Sequence, residues 1–132
     1  MSADATRELP RLYELESEVM EEVWRQARPT TVRAVMAALN RRADKERAYT
    51  TIMTIMARLA RKGVLRRELH GKTYVYVPVV SREQYLELRA RAEVGALVQE
   101  YGELALTNFA REMAKLDAGR LDELNRLART RA

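Results

Sequence analysis

The sequence predicts a mainly α-helical chain with one small β-hairpin, in the order three helices, hairpin, three helices. Three observations predict it. Apolar residues recur at intervals of three and four over most of the chain, which marks one buried face per helix. Between Gly63 and Pro78 that period gives way to simple alternation, as strands require. Glycine, proline and capping residues fall where the period breaks.

Leu12, Leu15, Val19 and Val23, with Met20 and Trp24, form the stripe of a first helix from about Tyr13 to Gln26. Pro29 stops it, and the hydroxyl of Thr30 or Thr31 can accept from the free amides that open the next helix. Val32, Val35, Met36 and Leu39 give that second helix its buried face, down to Asn40, Arg41 and Arg42. Ala43 to Arg47 is charged and aperiodic, hence a loop. A third helix starts between Ala48 and Thr50, buries Ile52, Ile55, Met56 and Leu59, and ends at Gly63, a residue suited to the left-handed turn after a helix. Arg61 and Lys62 occupy its last turn, where cations complement the helix dipole. Val64 to Leu69 and Thr73 to Val77 are two strands joined by His70, Gly71 and Lys72, and Pro78 ends the hairpin. Ser81 and Gln84 have capping-box spacing for a fourth helix that runs to about Glu100. Tyr101 and Gly102 interrupt it. A fifth helix covers Glu103 to Lys115, and Asp117 caps a sixth whose seam is Leu121, Leu124 and Leu127.

With 132 residues the chain fits one compact unit, or a small domain with an appendage. Apolar residues at 47% and charged residues at 33% exclude a disordered chain and a membrane-embedded one. No run approaches the ~18 apolar residues of a spanning helix, and Met1 to Leu9 lacks an apolar signal core. A cytoplasmic protein without membrane insertion is expected. The absence of cysteine removes disulfides, thiolate metal sites and cysteine nucleophiles together, and no cofactor or metal is expected.

The net charge of +5 is unevenly distributed. Residues 1–80 hold 15 basic against 10 acidic side chains, whereas residues 81–132 hold 9 of each. Within Arg41 to Lys72 there are 10 basic and 3 acidic residues. Such a cluster in a folded domain is the footprint of a polyanion partner, against the alternative of a solvated basic surface.

Three short helices followed at once by a hairpin is the winged helix-turn-helix order, in which the third helix enters the major groove. Rotation by 100° per residue away from the Ile52/Ile55/Met56/Leu59 stripe brings Thr50, Thr54, Ala57, Arg58 and Arg61 to the opposite face, with Thr51 and Met53 at its edges. Short side chains let a helix approach the bases, Thr meets base edges or a thymine methyl, and Arg forks onto guanine. Arg66, Arg67 and Lys72 on the hairpin are placed to meet phosphates, and the two arginines also guard a strand edge. His70 is the only histidine and reads as an exposed turn residue. Tyr74 and Tyr76 share one strand face and Val75 and Val77 the other, and one set packs on the helices. The double-stranded DNA-binding domain is expected at residues 8–80.

Residues 81–132 are too few for a self-sufficient core, yet rich in apolar positions. The simplest cover is the same segment of a second subunit, in a two-fold dimer, with Leu97, Leu121, Leu124 and Leu127 at the interface. The operator is then palindromic, with half-sites about one helical turn apart.

The run Leu15 to Trp24, then Thr31 to Arg33, Ala48 to Thr54, Arg58 with Leu59, Lys62 with Gly63, and Tyr74 to Pro78 strongly resembles the BlaI/MecI family of penicillinase and methicillin-resistance repressors. The resemblance covers nearly the whole chain and is most specific in its first 80 residues. It implies a homodimeric repressor of an antibiotic response, with an N-terminal winged domain and a C-terminal helical dimerisation domain. Thr50, Thr51, Thr54 and Arg58 fall at its recognition-helix positions. It also implies relief of repression by a sensor-linked protease that cleaves between Asn108 and Phe109, against the plainer reading of Phe109 as core. The C-terminal cysteine pairs of a copper-responsive branch are missing.

An enzyme is not expected. The glutamates Glu16, Glu18, Glu21 and Glu22 read as one solvated flank of the first helix and not as a poised carboxylate pair. The competing functions are a ligand-sensing winged-helix regulator and a winged module for protein contacts; the basic segment argues against the second.

Overall fold

The three N-terminal apolar stripes fold as α1 (Glu14–Gln26), α2 (Val32–Arg42) and α3 (Tyr49–Arg61), in a computed structural model that describes residues 9–42 and 46–131. The expected charged loop lies partly at 43–45, outside the described residues. The hairpin is β1 (Leu65–His70) with β2 (Thr73–Pro78), and α4 (Arg82–Tyr101), α5 (Glu103–Ala114) and α6 (Ala118–Arg131) complete the chain. This is a winged helix-turn-helix followed by a helical C-terminal part.

Local chemistry sets the boundaries. Thr31 caps α2, its Oγ1 accepting the Ala34 amide at 3.1 Å. Thr30 does something different: it bridges backbone to backbone with Tyr76, at 2.7 and 3.0 Å, and so attaches β2 to the α1–α2 corner. After α3 the Val64 amide reaches the Leu59 carbonyl and the Gly63 amide that of Ala60, with Gly63 at φ 83°. That is the Schellman pattern, sealed by the buried pair Val64 and Leu59. The hairpin turns on Gly71 and Lys72, with Gly71 at φ 66° in the first central position, where a tight hairpin favours glycine. Pro78 sits inside the ladder opposite Leu65. Ser81 and Gln84 make the reciprocal capping box at α4, at 2.9 and 3.1 Å, and Asp117 caps α6 through the Arg120 amide at 2.8 Å.

The core gathers Val19, Met20 and Val23 of α1, Val35 and Leu39 of α2, Ile52, Ile55, Met56 and Leu59 of α3, and Val64, Leu65 and Tyr76 from the hairpin. Of the two strand faces, the one bearing Tyr76 is packed, with Tyr76 at 2% exposure, while Tyr74 stays exposed.

The chain divides into two compact units between Ala90 and Arg91, inside α4 and beyond Val80, where the composition suggested a boundary. Specific contacts hold the start of α4 to the first unit. The Tyr85 hydroxyl donates to the Pro10 carbonyl at 2.7 Å, its ring lies 5.5 Å from that of Trp24, and Arg89 donates to the Leu9 carbonyl at 2.9 Å. The second unit contains the rest of α4, then α5 and α6, joined at Gly102 with φ 57°.

Candidate nucleic-acid interface

The amphipathic division of α3 fixes what it offers outward. Ile52, Ile55, Met56 and Leu59 are buried, whereas Thr50, Thr51, Met53, Thr54, Arg58 and Arg61 are exposed and Ala57 is half-buried. The outward face therefore carries hydroxyls and guanidinium groups with little bulk between them. Threonines cost a few tenths of a kcal/mol each in helix propensity relative to better helix formers, so their concentration has no benefit in folding alone.

The strand register separates the hairpin cations. Arg67 pairs with Tyr76, and Leu69 with Tyr74, on the packed face; Arg66 pairs with Val77 on the other, beside Glu68 and His70. A recess of about 530 Å³ opens between the N-terminus of α2, α3 and the hairpin, lined by Thr31, Val32, Arg33, Tyr49, Met53, Ala57, Arg67, Lys72, Thr73, Tyr74 and Tyr76. Arg67 and Lys72 thus share one concavity with α3, and Arg66 does not line it. Arg66 binds Glu68 instead, at 3.1 Å. That contact, followed by the one from His70, holds the Glu68 carboxyl below its ordinary range. His70 is exposed within β1, 3.4 Å from Glu68.

Of the arginines lining the recess, Arg67 was expected from the sequence and Arg33 was not singled out there. Arg33 lies over the Tyr49 ring at 5.4 Å, and Arg67 over the Tyr74 ring at 4.2 Å. Cation–π contact holds each guanidinium beside an aromatic ring of the wall. Arg33 follows the Thr31 cap on the exposed side of α2, and only its pairing with Tyr49 marks it.

Glu16 and Glu22 are not part of a solvated flank, at 1% and 3% exposure, while Glu18 and Glu21 stay partly exposed. Each of these four holds a cation from elsewhere in the chain: Glu16 takes Lys62, Glu18 takes Arg47, Glu21 takes Arg82 and Glu22 takes Arg42. Glu22 also accepts from Arg25 at 2.6 Å and Gln26 at 2.9 Å. Burial alone would raise the carboxyls of Glu16 and Glu22. Hydrogen bonds from Lys62 and the Tyr13 amide at Glu16, and from Gln26 and Arg42 at Glu22, outweigh it together with the neighbouring positive charges, and both are held below the ordinary range. Four cations of the basic segment, Arg42, Arg47, Lys62 and Arg66, are therefore engaged within the chain.

In the second unit Leu97 and Leu127 are exposed and Leu121 and Leu124 half-buried. Leu97 lines an apolar recess of about 360 Å³ with Tyr101, Leu104, Ala105, Asn108 and Phe109. Asn108 is exposed in α5, its Nδ2 donating to the Leu104 carbonyl at 2.8 Å, and Phe109 is half-buried. A further recess of about 560 Å³ lies against Trp24, Pro29, Pro78 and Arg82; two of its guanidinium groups, Arg25 and Arg82, are already bound by Glu22 and Glu21. Among the described residues no group of three or more His, Asp or Glu is placed to hold a metal, and no helix is long and apolar enough to cross a membrane.

Known proteins resemble this chain along most of its length. A transcriptional regulator BlaI of Mycobacterium tuberculosis is 42% identical over 91 residues, which are 69% of this chain and 62% of that protein. A penicillinase repressor of Bacillus licheniformis is 25% identical over 88 residues, 65% of each chain. The solution structure of Bacillus licheniformis BlaI in monomeric form, in complex with the blaP half-operator, aligns with a TM-score of 0.48 and 27% identity, over 59% of this chain and 92% of that one. The matched part of the chain spans just under two thirds of the length of these relatives. The penicillinase repressor family matches residues 12–130, and the chain belongs to that family.

Proposed function

We propose that the chain is a sequence-specific, DNA-binding transcriptional repressor that acts in the cytoplasm as a homodimer on a palindromic operator. The observation that carries this reading is the outward face of α3, with Thr50, Thr51, Thr54, Arg58 and Arg61, beside a cationic recess shared with the hairpin. The helix supplies base readout in the major groove, and Arg33, Arg67 and Lys72 supply phosphate contacts that set its register. Family membership supports the same reading, and the named relatives are a transcriptional regulator and a penicillinase repressor.

The second unit supports homodimerisation. Its only buried residue among those described is Ala105, while Val94, Leu97, Tyr101, Leu104, Leu106, Leu116 and Leu127 are exposed. A unit this small with so little buried surface needs a partner to be stable, and a second copy supplies two reading helices at once. Relief of repression by a sensor-linked protease belongs to the same proposal. The Asn108–Phe109 bond lies within α5, so cleavage requires this helix to open locally first. Once cut, the chain loses Leu121, Leu124 and Leu127 from the DNA-binding part.

Substitutions separate readout from grip. Thr54→Ala or Arg58→Ala is expected to cost about 1–3 kcal/mol and to relax preference at particular base pairs. Arg67→Ala or Lys72→Ala weakens all sequences alike and lowers the salt slope by about one. Arg66→Ala has the smaller effect, because its guanidinium is engaged by Glu68. Equilibrium binding to an operator and its single-base variants over a salt series checks this; four uniform effects would contradict readout by α3.

A further inference from the structure

We propose that Lys62 is a positioning residue of the reading helix, held by the buried carboxylate of Glu16, and not one of the cations that meet the DNA backbone. This rests on the reading that α3 contacts DNA. By sequence Lys62 belongs to the basic segment, in the last turn of the reading helix; the alternative role for such a cation is a phosphate contact. Its surroundings exclude that role. The ammonium lies 2.8 Å from both oxygens of Glu16 and 4.9 Å from the centre of the Tyr13 ring, and the side chain is only 24% exposed. Glu16 is itself fixed a second time, because its Oε1 accepts the Tyr13 amide at 2.9 Å where α1 begins.

The pair ties the end of α3 to the start of α1. The opposite end of α3 is tied mainly by backbone hydrogen bonds to Asn40, with a looser ion pair beside them. Arg47, two residues before α3, is engaged by Glu18 at 3.6 Å, while Asn40 accepts its amide at 2.8 Å and donates to its carbonyl at 3.1 Å. Packing of Ile52, Ile55, Met56 and Leu59 decides which face of α3 is inward, but hydrophobic contact is non-directional and leaves rotation about the axis soft. A charge-assisted hydrogen-bonded pair is directional. Base readout needs side chains held to within about 0.5 Å and 10–20°, and the Glu16–Lys62 pair at one end of α3, with the Asn40 hydrogen bonds to Arg47 before the other, supplies that constraint.

The test uses a duplex selected by the wild-type chain from random sequence and a shuffled duplex of the same composition. Glu16→Gln is the informative variant, since glutamine still accepts the Tyr13 amide and residue 16 is too deeply buried to touch DNA. It is expected to lower the ratio of selected to shuffled affinity by about tenfold, the equivalent of one base contact. Lys62→Met is expected to lower the same ratio and leave the salt slope unchanged, Lys62→Arg to restore it, and the double variant Glu16→Gln with Lys62→Met to be no worse than the more affected single. The double variant leaves no unpaired buried charge and so keeps the test valid if Lys62→Met alone does not fold. A uniform loss on both duplexes with a salt slope lowered by about 0.9 would make Lys62 a phosphate ligand and overturn the proposal, as would an unchanged ratio in Glu16→Gln. A wild-type chain that selects no sequence would instead defeat the DNA reading itself.

Discussion

Leu97→Glu is expected to turn the protein into a monomer and to lower operator affinity by about 10²- to 10⁴-fold, the advantage conferred by linking two binding sites. Leu97 is 42% exposed in the single chain, so a carboxylate there is hydrated and does little to the fold of one copy. In the proposed dimer the apolar recess that Leu97 lines with Tyr101, Leu104 and Phe109 is covered by the second copy, and an unpaired charge there is strongly disfavoured. Sedimentation of the variant together with a titration of its operator checks both halves of the expectation. A dimer of unchanged affinity would remove Leu97 from the interface.

Tyr76→Ala is expected to cost about 3–5 kcal/mol, as deletion of a fully buried aromatic ring generally does. Tyr76 is 2% exposed and belongs to the cluster that includes α1, α2 and α3. Its backbone bridge to Thr30 survives the substitution, but the ring that fills the junction between hairpin and helices is lost. Thr30 is buried there as well, its hydroxyl hydrogen-bonded to Gln26 at 2.6 Å. Because Arg67 is the register partner of Tyr76, a loosened hairpin also displaces the guanidinium proposed to meet phosphate, and DNA affinity is expected to fall together with stability. Urea unfolding of the variant gives the number; a cost below about 1 kcal/mol would mean that the hairpin is not anchored by this ring.

The helices and the hairpin were legible because their signals are local. The stripe of Ile52, Ile55, Met56 and Leu59 determines its own opposite face, so the exposed Thr50, Thr54 and Arg58 could be identified by rotation alone. A threonine cap at Thr30 or Thr31 and a box of Ser81 with Gln84 were visible for the same reason, and the structure selects Thr31. What was illegible is non-local. Glu16 finds Lys62 46 residues later and Glu21 finds Arg82 61 residues later, so a row of carboxylates that looks solvated in sequence holds four other segments in place. Alternation placed Arg66 and Arg67 on opposite faces of β1. Only packing decided that the Arg67 face turns toward α3. The pairing of Arg33 with Tyr49 likewise needs α2 and α3 side by side before it exists.

Selection of bound duplexes from random DNA tests the central claim most directly. Two outward faces of α3 in a two-fold dimer predict enrichment of a palindrome whose half-sites are centred about 34–36 Å apart, or a multiple of that distance, and Thr54→Ala or Arg58→Ala should change the enriched bases within each half-site. Enrichment of no sequence, or of one unaffected by either substitution, would contradict the account.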